Sequence, residues 1–158
     1  MKKDKTKRGY FGIGVFNPKT HENIGTLWRG AYQLGADFIF TIGKRYSKQH
    51  SDTLKTWRHI PLFQFKNFEE FKSSALYDCR MVAIEFGDTS VPIQTFDHPQ
   101  RAVYILGSED GGLPKEILRD DNVFKLELPS VRTPSYNVAM AGTLVMYDRF
   151  IKGEVAQG

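Results

Sequence analysis

Three short segments of this sequence combine glycines with polar or charged side chains, and they are the strongest candidates for a catalytic or binding site. Residues 105–114 read Ile-Leu-Gly-Ser-Glu-Asp-Gly-Gly-Leu-Pro, and glycines in such a turn allow the backbone to approach a ligand closely. Residues 126–141 contain Ser135 and Asn137, whose hydroxyl and amide can bind a ligand or cap a helix. A further segment supplies Arg29, whose guanidinium can bind phosphate or stabilise a developing oxyanion.

Each segment also has an ordinary structural interpretation. Residues 105–114 lack the glycine spacing of a dinucleotide-binding fingerprint and the Gly-Lys-Ser/Thr of a P-loop, and a tight turn between strand and helix explains them equally well. Ser135 or Asn137 would serve as a helix cap in many proteins, and an arginine such as Arg29 usually forms a surface ion pair. Taken one at a time, the segments leave the chemistry open.

The segments lie at junctions between predicted strands and predicted helices. Apolar patterns predict strands at residues 10–16, 37–42, 62–65, 81–86, 102–106 and 123–128. Helices are predicted before Gly35, after an N-cap at Asn67 and as far as Leu76, and at residues 114–119 and 137–151. This alternation predicts an α/β fold in which helices flank a mostly parallel sheet and ligands bind at the carboxyl ends of the strands.

Composition permits this fold and narrows the class of protein. With 158 residues, of which 41% are hydrophobic, the chain is long enough for one packed core, and we predict a single domain over residues 10–158. The single cysteine, Cys79, excludes an internal disulfide and a cysteine cluster for a metal, as expected in a reducing cytosol. No apolar run approaches membrane-spanning length, and the formal net charge of +4 favours polyanionic partners.

Two basic stretches are candidates for contact with a polyanion. Residues 1–9 are predicted to be a flexible, solvated tail, with an RNA-gripping arm as the alternative. Residues 44–58 combine cations, which bind phosphates, with aromatic rings, which stack on unpaired bases, although a solvated loop has the same composition. The candidate RNA-binding cations are Lys44, Arg45, Lys48 and Arg58. The histidines are predicted to be ordinary surface or loop residues: His21, His50, His59 and His98.

Taken together, the three segments resemble the signature motifs of the SpoU/TrmH family, which belongs to the knotted SPOUT methyltransferases. The match consists of an Asn-x-Gly that begins at Asn23 and is followed by Arg29, a Gly-Ser-Glu that begins at Gly107 and is followed by Gly-Leu-Pro, and a Ser-x-Asn that begins at Ser135 and is preceded by proline. The resemblance extends over the chain after the basic tail, in the family's order.

The resemblance implies a fold, a reaction and a cofactor. It implies an α/β fold with a deep trefoil knot in its C-terminal part, and a cytoplasmic homodimer that needs no metal. The implied reaction is methyl transfer from S-adenosylmethionine to a ribose 2'-hydroxyl of RNA, either tRNA or rRNA. One crevice is expected to hold the cofactor, and the matching positions are Ile84, Glu85, Leu106, Gly107, Ser108, Leu128, Ser135 and Asn137.

Catalytic roles also follow from the resemblance. Arg29 matches the arginine to which the family assigns activation of the 2'-hydroxyl and which also meets the RNA. A guanidinium is a poor general base, so a clamp on the phosphate and the developing alkoxide is the alternative role. Asn23 and Glu109 are expected to hold Arg29, and Ser135 or Asn137 is expected to contact ribose or cofactor.

Departures from the family pattern keep two other functions open. Tyr136 stands where the family commonly has leucine, Ala139 stands where serine is frequent, and the loop over residues 129–135 is one residue shorter. A catalytically silent RNA-binding protein of the same fold would show such changes, and a knotted enzyme that methylates a base is the other alternative. The combination of Asn23 with Arg29 favours ribose chemistry.

Overall fold

A seven-stranded parallel sheet forms the centre of the computed structural model, which describes residues 9–19, 21–43, 55–74, 76–108 and 111–157. The strands are β1 (Tyr10–Phe16), β2 (Phe38–Ile42), β3 (Leu62–Phe65), β4 (Arg80–Ile84), β5 (Val91–Pro92), β6 (Arg101–Leu106) and β7 (Val123–Glu127). Their order across the sheet is β3-β2-β1-β6-β4-β7-β5, and each neighbouring pair is parallel. The predicted α/β fold is confirmed, and β5 is a strand that the sequence pattern does not predict.

Helices cover both faces of this sheet. Those in the described residues are α1 (His21–Gln33), α2 (Phe68–Ser73), α3 (Lys115–Leu118) and α4 (Val138–Gln157), with short 3-10 turns at Thr56–Arg58, Leu76–Asp78 and Ile93–Thr95. The helices α1 and α4 pack together on one face, whereas α2 and α3 contribute to the core on the other face. Because both faces are buried, a strand such as β2 is buried along its whole length.

Each face of the sheet has its own hydrophobic core. The core under α1 and α4 contains Leu27 and Trp28, and Gly142 allows α4 to approach closely, since a Cβ there would lie 2.3 Å from Leu27 Cδ1. The opposite core is aromatic, and the rings of Phe40 and Phe71 stack with their centroids 4.9 Å apart. Each fully buried side chain of this size contributes roughly 1.5–3 kcal/mol to the stability of the fold.

Local signals place some helix ends correctly, whereas other ends differ from prediction. The first helix, α1, begins at His21, so Asn23, a candidate N-cap, lies inside it. Asn67 caps α2 by accepting a hydrogen bond from the Glu70 backbone at 2.8 Å, as predicted. That helix stops before Leu76 because serine hydroxyls at its end bond back to its last carbonyl groups. The last helix, α4, continues to Gln157 rather than ending at Ile151. Gly153 does not end it, because a glycine in a helix interior costs only about 1 kcal/mol.

A chain of buried hydrogen bonds ties α4 to β6. Arg149 donates to the Tyr104 hydroxyl at 3.0 Å, and that hydroxyl is then free to donate to Nδ1 of His98 at 2.7 Å. Nε2 of His98 donates in turn to Asp148 at 2.7 Å. His98 lies in a loop, as predicted, but its side chain is only 5% exposed, and burial lowers its pKa against the opposing effect of Asp148. Burial raises the pKa of Tyr104 to about 12.

The strand order brings the motif segments to one edge of the sheet. The chain forms β4 and β5 before it returns to insert β6 between β1 and β4. The carboxyl ends of β4, β6 and β7 therefore lie side by side, and the loops that follow them meet there. This order is consistent with the C-terminal trefoil knot, which itself stays a prediction.

Candidate active site

The glycine-rich segment forms a sharp turn where β6 ends. The backbone N–H of Gly112 donates to the carbonyl of Ser108 at 3.1 Å, which closes the turn ahead of α3. A Cβ on Gly107 would lie 2.5 Å from the backbone carbonyl carbon of Gly112, so the two backbone segments can approach this closely only with glycine at that position. Gly107, Gly111 and Gly112 of this turn therefore bring backbone close to the space beyond β6.

Glu85 holds this turn in place from the end of β4. Its side chain is half-buried, and its Oε2 accepts a hydrogen bond from the backbone N–H of Leu113 at 3.2 Å. Its own backbone is fixed on both sides, since its N–H donates to the Leu126 carbonyl at 3.0 Å and its carbonyl accepts from the Ser90 hydroxyl at 2.9 Å. A carboxylate is thus positioned beside the glycine-rich turn.

The loop after β7 forms the facing wall and is closed on itself. The hydroxyl of Tyr136 donates to the Pro129 carbonyl, and the hydroxyl of Ser130 donates to the Thr133 carbonyl. The tip of the loop is open to solvent, where Val131 is 98% exposed. Tyr136 therefore has a structural role in this chain that a leucine in the same position would not provide, because leucine has no donor.

These elements enclose a crevice of about 520 Å³ at the carboxyl edge of the sheet. Its volume falls within the range of about 300–1,000 Å³ that is usual for small-molecule sites. Of the residues predicted to hold a cofactor, those that line the crevice are Ile84, Glu85, Leu106, Gly107, Ser108, Leu128 and Ser135. Asn137 is not among the lining residues, although its neighbours in the chain are.

Asn137 joins the third motif segment to the first. Its Oδ1 accepts hydrogen bonds from the backbone N–H groups of Ala139 at 2.9 Å and Met140 at 3.2 Å, and so caps α4. Its Nδ2 donates to Oδ1 of Asn23 at 3.0 Å. Ser108 borders the same small cleft as Asn23, so the starts of α1 and α4 meet the glycine-rich turn at this point.

Arg29 lies apart from the crevice of its own chain. It is exposed on α1, and six residues place it about 9 Å further along that helix than Asn23. Among the residues that the structure describes, Arg29 makes no hydrogen bond or ion pair, and the Asn23 amide bonds to Asn137 instead. With respect to the described residues, the guanidinium is therefore available to a ligand or to another chain.

Several predicted residues lie outside the described ranges: Glu109, Lys44, Arg45, Lys48, His50 and the basic residues of the tail. Arg58 is exposed, and its guanidinium carbon lies 5.1 Å from the ring centroid of Trp57. Within the described part of the chain, no group of three His, Cys, Asp or Glu side chains is arranged to hold a metal ion. The helices in that same part are all too short or too polar to cross a membrane.

Sequence reasoning missed part of the crevice wall. Leu113 and Leu118 close it from the α3 side, and Val138 and Ala141 close it from the first turn of α4. The sequence does indicate Val138 and Ala141, because apolar residues three apart at a helix start lie on one face of the helix. Phe86 ends the strand predicted over residues 81–86, whose end the family resemblance places at the crevice, and it lies at the rim with 65% of its surface exposed.

Comparison with known proteins identifies the class to which this fold and crevice belong. A sequence model of the SpoU rRNA Methylase family matches residues 11–147, which is most of the chain. The chain therefore belongs to the SpoU rRNA methylase family. No curated protein sequence matches it.

Solved structures share the fold at low sequence identity. An AdoMet-bound rRNA methyltransferase from Sinorhizobium meliloti matches with a TM-score of 0.77 and 24% identity, over 91% of this chain and 57% of that one. The TrmH/SpoU tRNA modifying enzyme from A. aeolicus matches with a TM-score of 0.81 and 19% identity, over 97% and 83%. A structure described for 2-OH methylation of C/U34 on tRNA matches with a TM-score of 0.76 and 21% identity, over 92% of this chain and 99% of that one. This chain thus spans little more than half of the S. meliloti protein.

Proposed function

We propose that this protein transfers a methyl group from S-adenosylmethionine to a ribose 2'-hydroxyl of RNA, in tRNA or rRNA, in the cytoplasm. The observation that carries the proposal is the convergence of the second and third motif segments on one crevice, beside the bond between Asn137 and Asn23. Membership of the SpoU family supports RNA methylation, and the similarity to the structure described for 2-OH methylation of C/U34 on tRNA supports ribose in tRNA as the target.

The crevice suits S-adenosylmethionine in size and chemistry. Ile84, Leu106 and Leu128 offer apolar surface to an adenine ring, and the backbone of the glycine-rich turn offers hydrogen-bonding groups at close range. The Glu85 carboxylate adds negative charge beside a ligand that carries a sulfonium and an ammonium. When bound, the cofactor supplies an electrophilic methyl group on a positively charged sulfur.

Transfer requires the ribose oxygen to lie in line with the bond between the methyl carbon and sulfur. The new bond joins the ribose oxygen to the methyl carbon, the carbon–sulfur bond breaks with its electron pair on sulfur, and the hydroxyl proton passes to water. Arg29 binds the adjacent phosphate and stabilises the developing alkoxide. A guanidinium offers five N–H donors and no acceptor, so the role of clamp is favoured over that of base.

Arg29 acts on the crevice of a second copy of the chain. The helix α1 begins at the crevice edge of the sheet and runs away from it, which separates Arg29 from its own crevice. Exposed apolar residues at spacings of four, three and four form one stripe along α4, and they are Met140, Leu144, Tyr147 and Ile151. A homodimer would bury this α4 stripe against a second copy and would bring Arg29 of one subunit to the other crevice.

Ribose-methylation profiling of total RNA from cells with and without the gene tests the proposal. Purified protein is then incubated with S-adenosylmethionine and RNA from cells lacking the gene, and the product is analysed by nuclease digestion and mass spectrometry. We expect one 2'-O-methylnucleoside that depends on the gene. A methylated base would contradict the ribose assignment. Absence of cofactor binding at millimolar concentration in calorimetry would identify a catalytically silent RNA-binding protein.

A further inference from the structure

A pair of exposed aromatic rings lies at the edge of the sheet opposite the crevice. The ring of Tyr32, near the end of α1, lies against that of His59, with their centroids 5.1 Å apart and their planes tilted by 34°. Tyr32 is nevertheless 46% exposed, and His59 is exposed as well. Both rings line a cavity of about 530 Å³, which is as large as the cofactor crevice.

The segment that carries His59 is held firmly. The His59 N–H donates to the Thr56 carbonyl at 2.8 Å, the Ile60 N–H donates to the same carbonyl at 3.0 Å, and the Arg58 N–H donates to the Lys55 carbonyl at 2.8 Å. These bonds close the turn over residues 55–60 and fix the backbone that places the imidazole beside Tyr32. A ring pair that is already ordered loses little conformational entropy when a planar ligand stacks on it.

The charges around the ring pair suit a polyanion. Arg58 is exposed beside it, and Arg29 lies one helical turn before Tyr32 on the same side of α1. The cavity itself is lined by one acidic and one basic residue, and both are engaged, since Asp37 accepts from the Phe11 N–H at 3.0 Å and Arg149 is bonded to backbone carbonyls. The exposed charges identified beside the rings within the described part of the chain, those of Arg58 and Arg29, are positive.

The ring pair is also separate from the α4 stripe that the proposed dimer would bury. Gly30 faces α4, because a Cβ there would lie 3.2 Å from the Thr143 hydroxyl. Tyr32 follows two residues later and points about 200° around the helix from Gly30. The α4 residues that border its cavity are Met146, Arg149, Phe150 and Gly153, and none of them belongs to the α4 stripe. Dimerisation through the α4 stripe would leave Tyr32 and His59 accessible.

We propose that Tyr32 and His59 bind an unpaired nucleobase of the RNA substrate by stacking. The inference rests on the proposed function. The stacked base would belong to a nucleotide near the methylated one, and the ring pair that binds it would be on the same subunit as the acting Arg29. Stacked aromatic side chains hold single-stranded bases with little sequence preference, and neighbouring cations hold the phosphates between them. The ring pair thus increases the affinity for RNA and does not contact the cofactor.

Steady-state kinetics with tRNA and rRNA from cells lacking the gene test this site. We expect Tyr32→Ala to raise KM for RNA about tenfold, the effect of one lost stack, and to leave KM for S-adenosylmethionine unchanged. Tyr32→Phe, which keeps the ring, should behave like the wild type, and His59→Ala should resemble Tyr32→Ala. Phe124→Ala is the matched control, because Phe124 is 45% exposed and lies beneath Arg80, outside the cavity.

The outcomes separate this inference from the proposed function. An unchanged KM for RNA in Tyr32→Ala, or an equal rise in Phe124→Ala, would overturn the stacking site even if the wild type methylates ribose. If the wild type methylates neither RNA, the proposed function fails, and filter binding of the same RNAs at fixed salt then decides the site. Weaker RNA binding by Tyr32→Ala than by Tyr32→Phe supports the stacking site, and equal RNA binding by the two variants refutes it.

Discussion

The amide nitrogen of Asn137 lies 3.0 Å from the amide oxygen of Asn23, and this hydrogen bond joins two helix starts that are 114 residues apart in the chain. The same side chain caps α4 through its oxygen. Ser135 and Val138, on either side of Asn137 in the chain, line the crevice. The position of α1, and with it that of Arg29, is thereby coupled to the crevice wall.

Substitutions at Asn137 should separate its two roles. Asn137→Ser keeps a capping oxygen but is too short to donate to Asn23, and we expect a loss of about 1 kcal/mol in the free energy of unfolding. Asn137→Ala also removes the cap and should cost about 2 kcal/mol in total. Urea denaturation measures both values. In a double-mutant cycle with Asn23→Ala and Asn137→Ser, the loss in the double variant should be smaller than the sum of the two single losses, because both changes remove the shared bond, and additive losses would contradict the bridge.

A side chain at Gly107 should abolish cofactor binding. Gly107→Val places atoms within contact distance of the Gly112 backbone, so the turn must move and the crevice must change shape. We expect the affinity for S-adenosylmethionine in calorimetry to fall by more than about tenfold. Gly111→Ala is the control in the same turn, because the nearest atom to its Cβ would be the Ser108 hydroxyl at 3.7 Å. Equal loss in the two variants would argue against a steric cause.

Removing the guanidinium of Arg29 should affect catalysis rather than cofactor binding. We expect Arg29→Ala to lower kcat by about two to three orders of magnitude, as the loss of one group that stabilises developing charge does elsewhere. Affinity for S-adenosylmethionine and thermal stability should stay near wild-type values, because Arg29 is exposed and outside the crevice. Arg119→Ala, at another exposed arginine, should retain activity. A large loss of cofactor affinity in Arg29→Ala would refute this division of roles.

A charge on the α4 stripe should produce a monomer. Leu144→Glu and Tyr147→Glu place a carboxylate on the proposed interface, and light scattering should show half the mass of the wild type. RNA methylation should be lost while cofactor binding persists. Val131→Glu, at a loop residue that is 98% exposed, should leave the mass unchanged. A monomeric variant with full activity would show that no second copy is needed.

Mixed dimers test whether Arg29 serves the crevice of the other subunit. A chain with Arg29→Ala keeps an intact crevice, and a chain with Gly107→Val keeps an intact arginine. Each variant alone should be inactive. After unfolding and refolding together, the mixture should regain methylation, because one crevice of each mixed dimer faces an intact arginine. No recovery from a mixture that refolds normally would place Arg29 and the crevice in the same subunit.

Buried His98 should make the protein less stable in acid. Its folded-state pKa is lowered by burial, so below about pH 6.5 the unfolded chain binds a proton that the folded chain excludes. The stability from this group is complete above that pH and decreases as the pH falls toward the folded-state pKa, by at most about 1.4 kcal/mol per pH unit. The charged residues that face it are Asp148, Arg149 and Lys152.

Thermal unfolding between pH 5 and pH 8 checks this expectation, with pH as the only variable. His98→Gln should be less stable than the wild type at neutral pH, but it should lose less stability on acidification. His59→Gln, which changes an exposed histidine outside this chain of hydrogen bonds, is the control variant. An identical pH dependence in His98→Gln and the wild type would contradict a neutral, buried His98.

Elements with a strong local pattern were predictable from the sequence. The bounds of β3 are found as predicted, Leu62–Phe65, and the cap at Asn67 is in place. By contrast, β5 consists of two residues, one of them proline, which carry no periodicity; it exists because its neighbour β7 supplies hydrogen-bonding partners. Strand order likewise depends on contacts between distant segments, which local pattern does not encode.

The candidate site was predictable in its parts but not in its contacts. Gly107 and Leu128 were placed in the crevice by motif, and they line it. The bond between Asn137 and Asn23 was not foreseen, because both amides equally fit the role of a simple cap. The burial of His98 was missed for a similar reason, since its partner Asp148 is 50 residues away on α4.

The close approach of α4 at Gly142 has a consequence for synthesis on the ribosome. The apolar surfaces of β1, α1 and β6 are complete long before α4 is translated, yet α4 covers them. Until α4 emerges, the nascent chain exposes this apolar surface, and exposed apolar surface favours aggregation. Premature termination before residue 138 would therefore yield a substrate for proteolysis rather than a weakened enzyme.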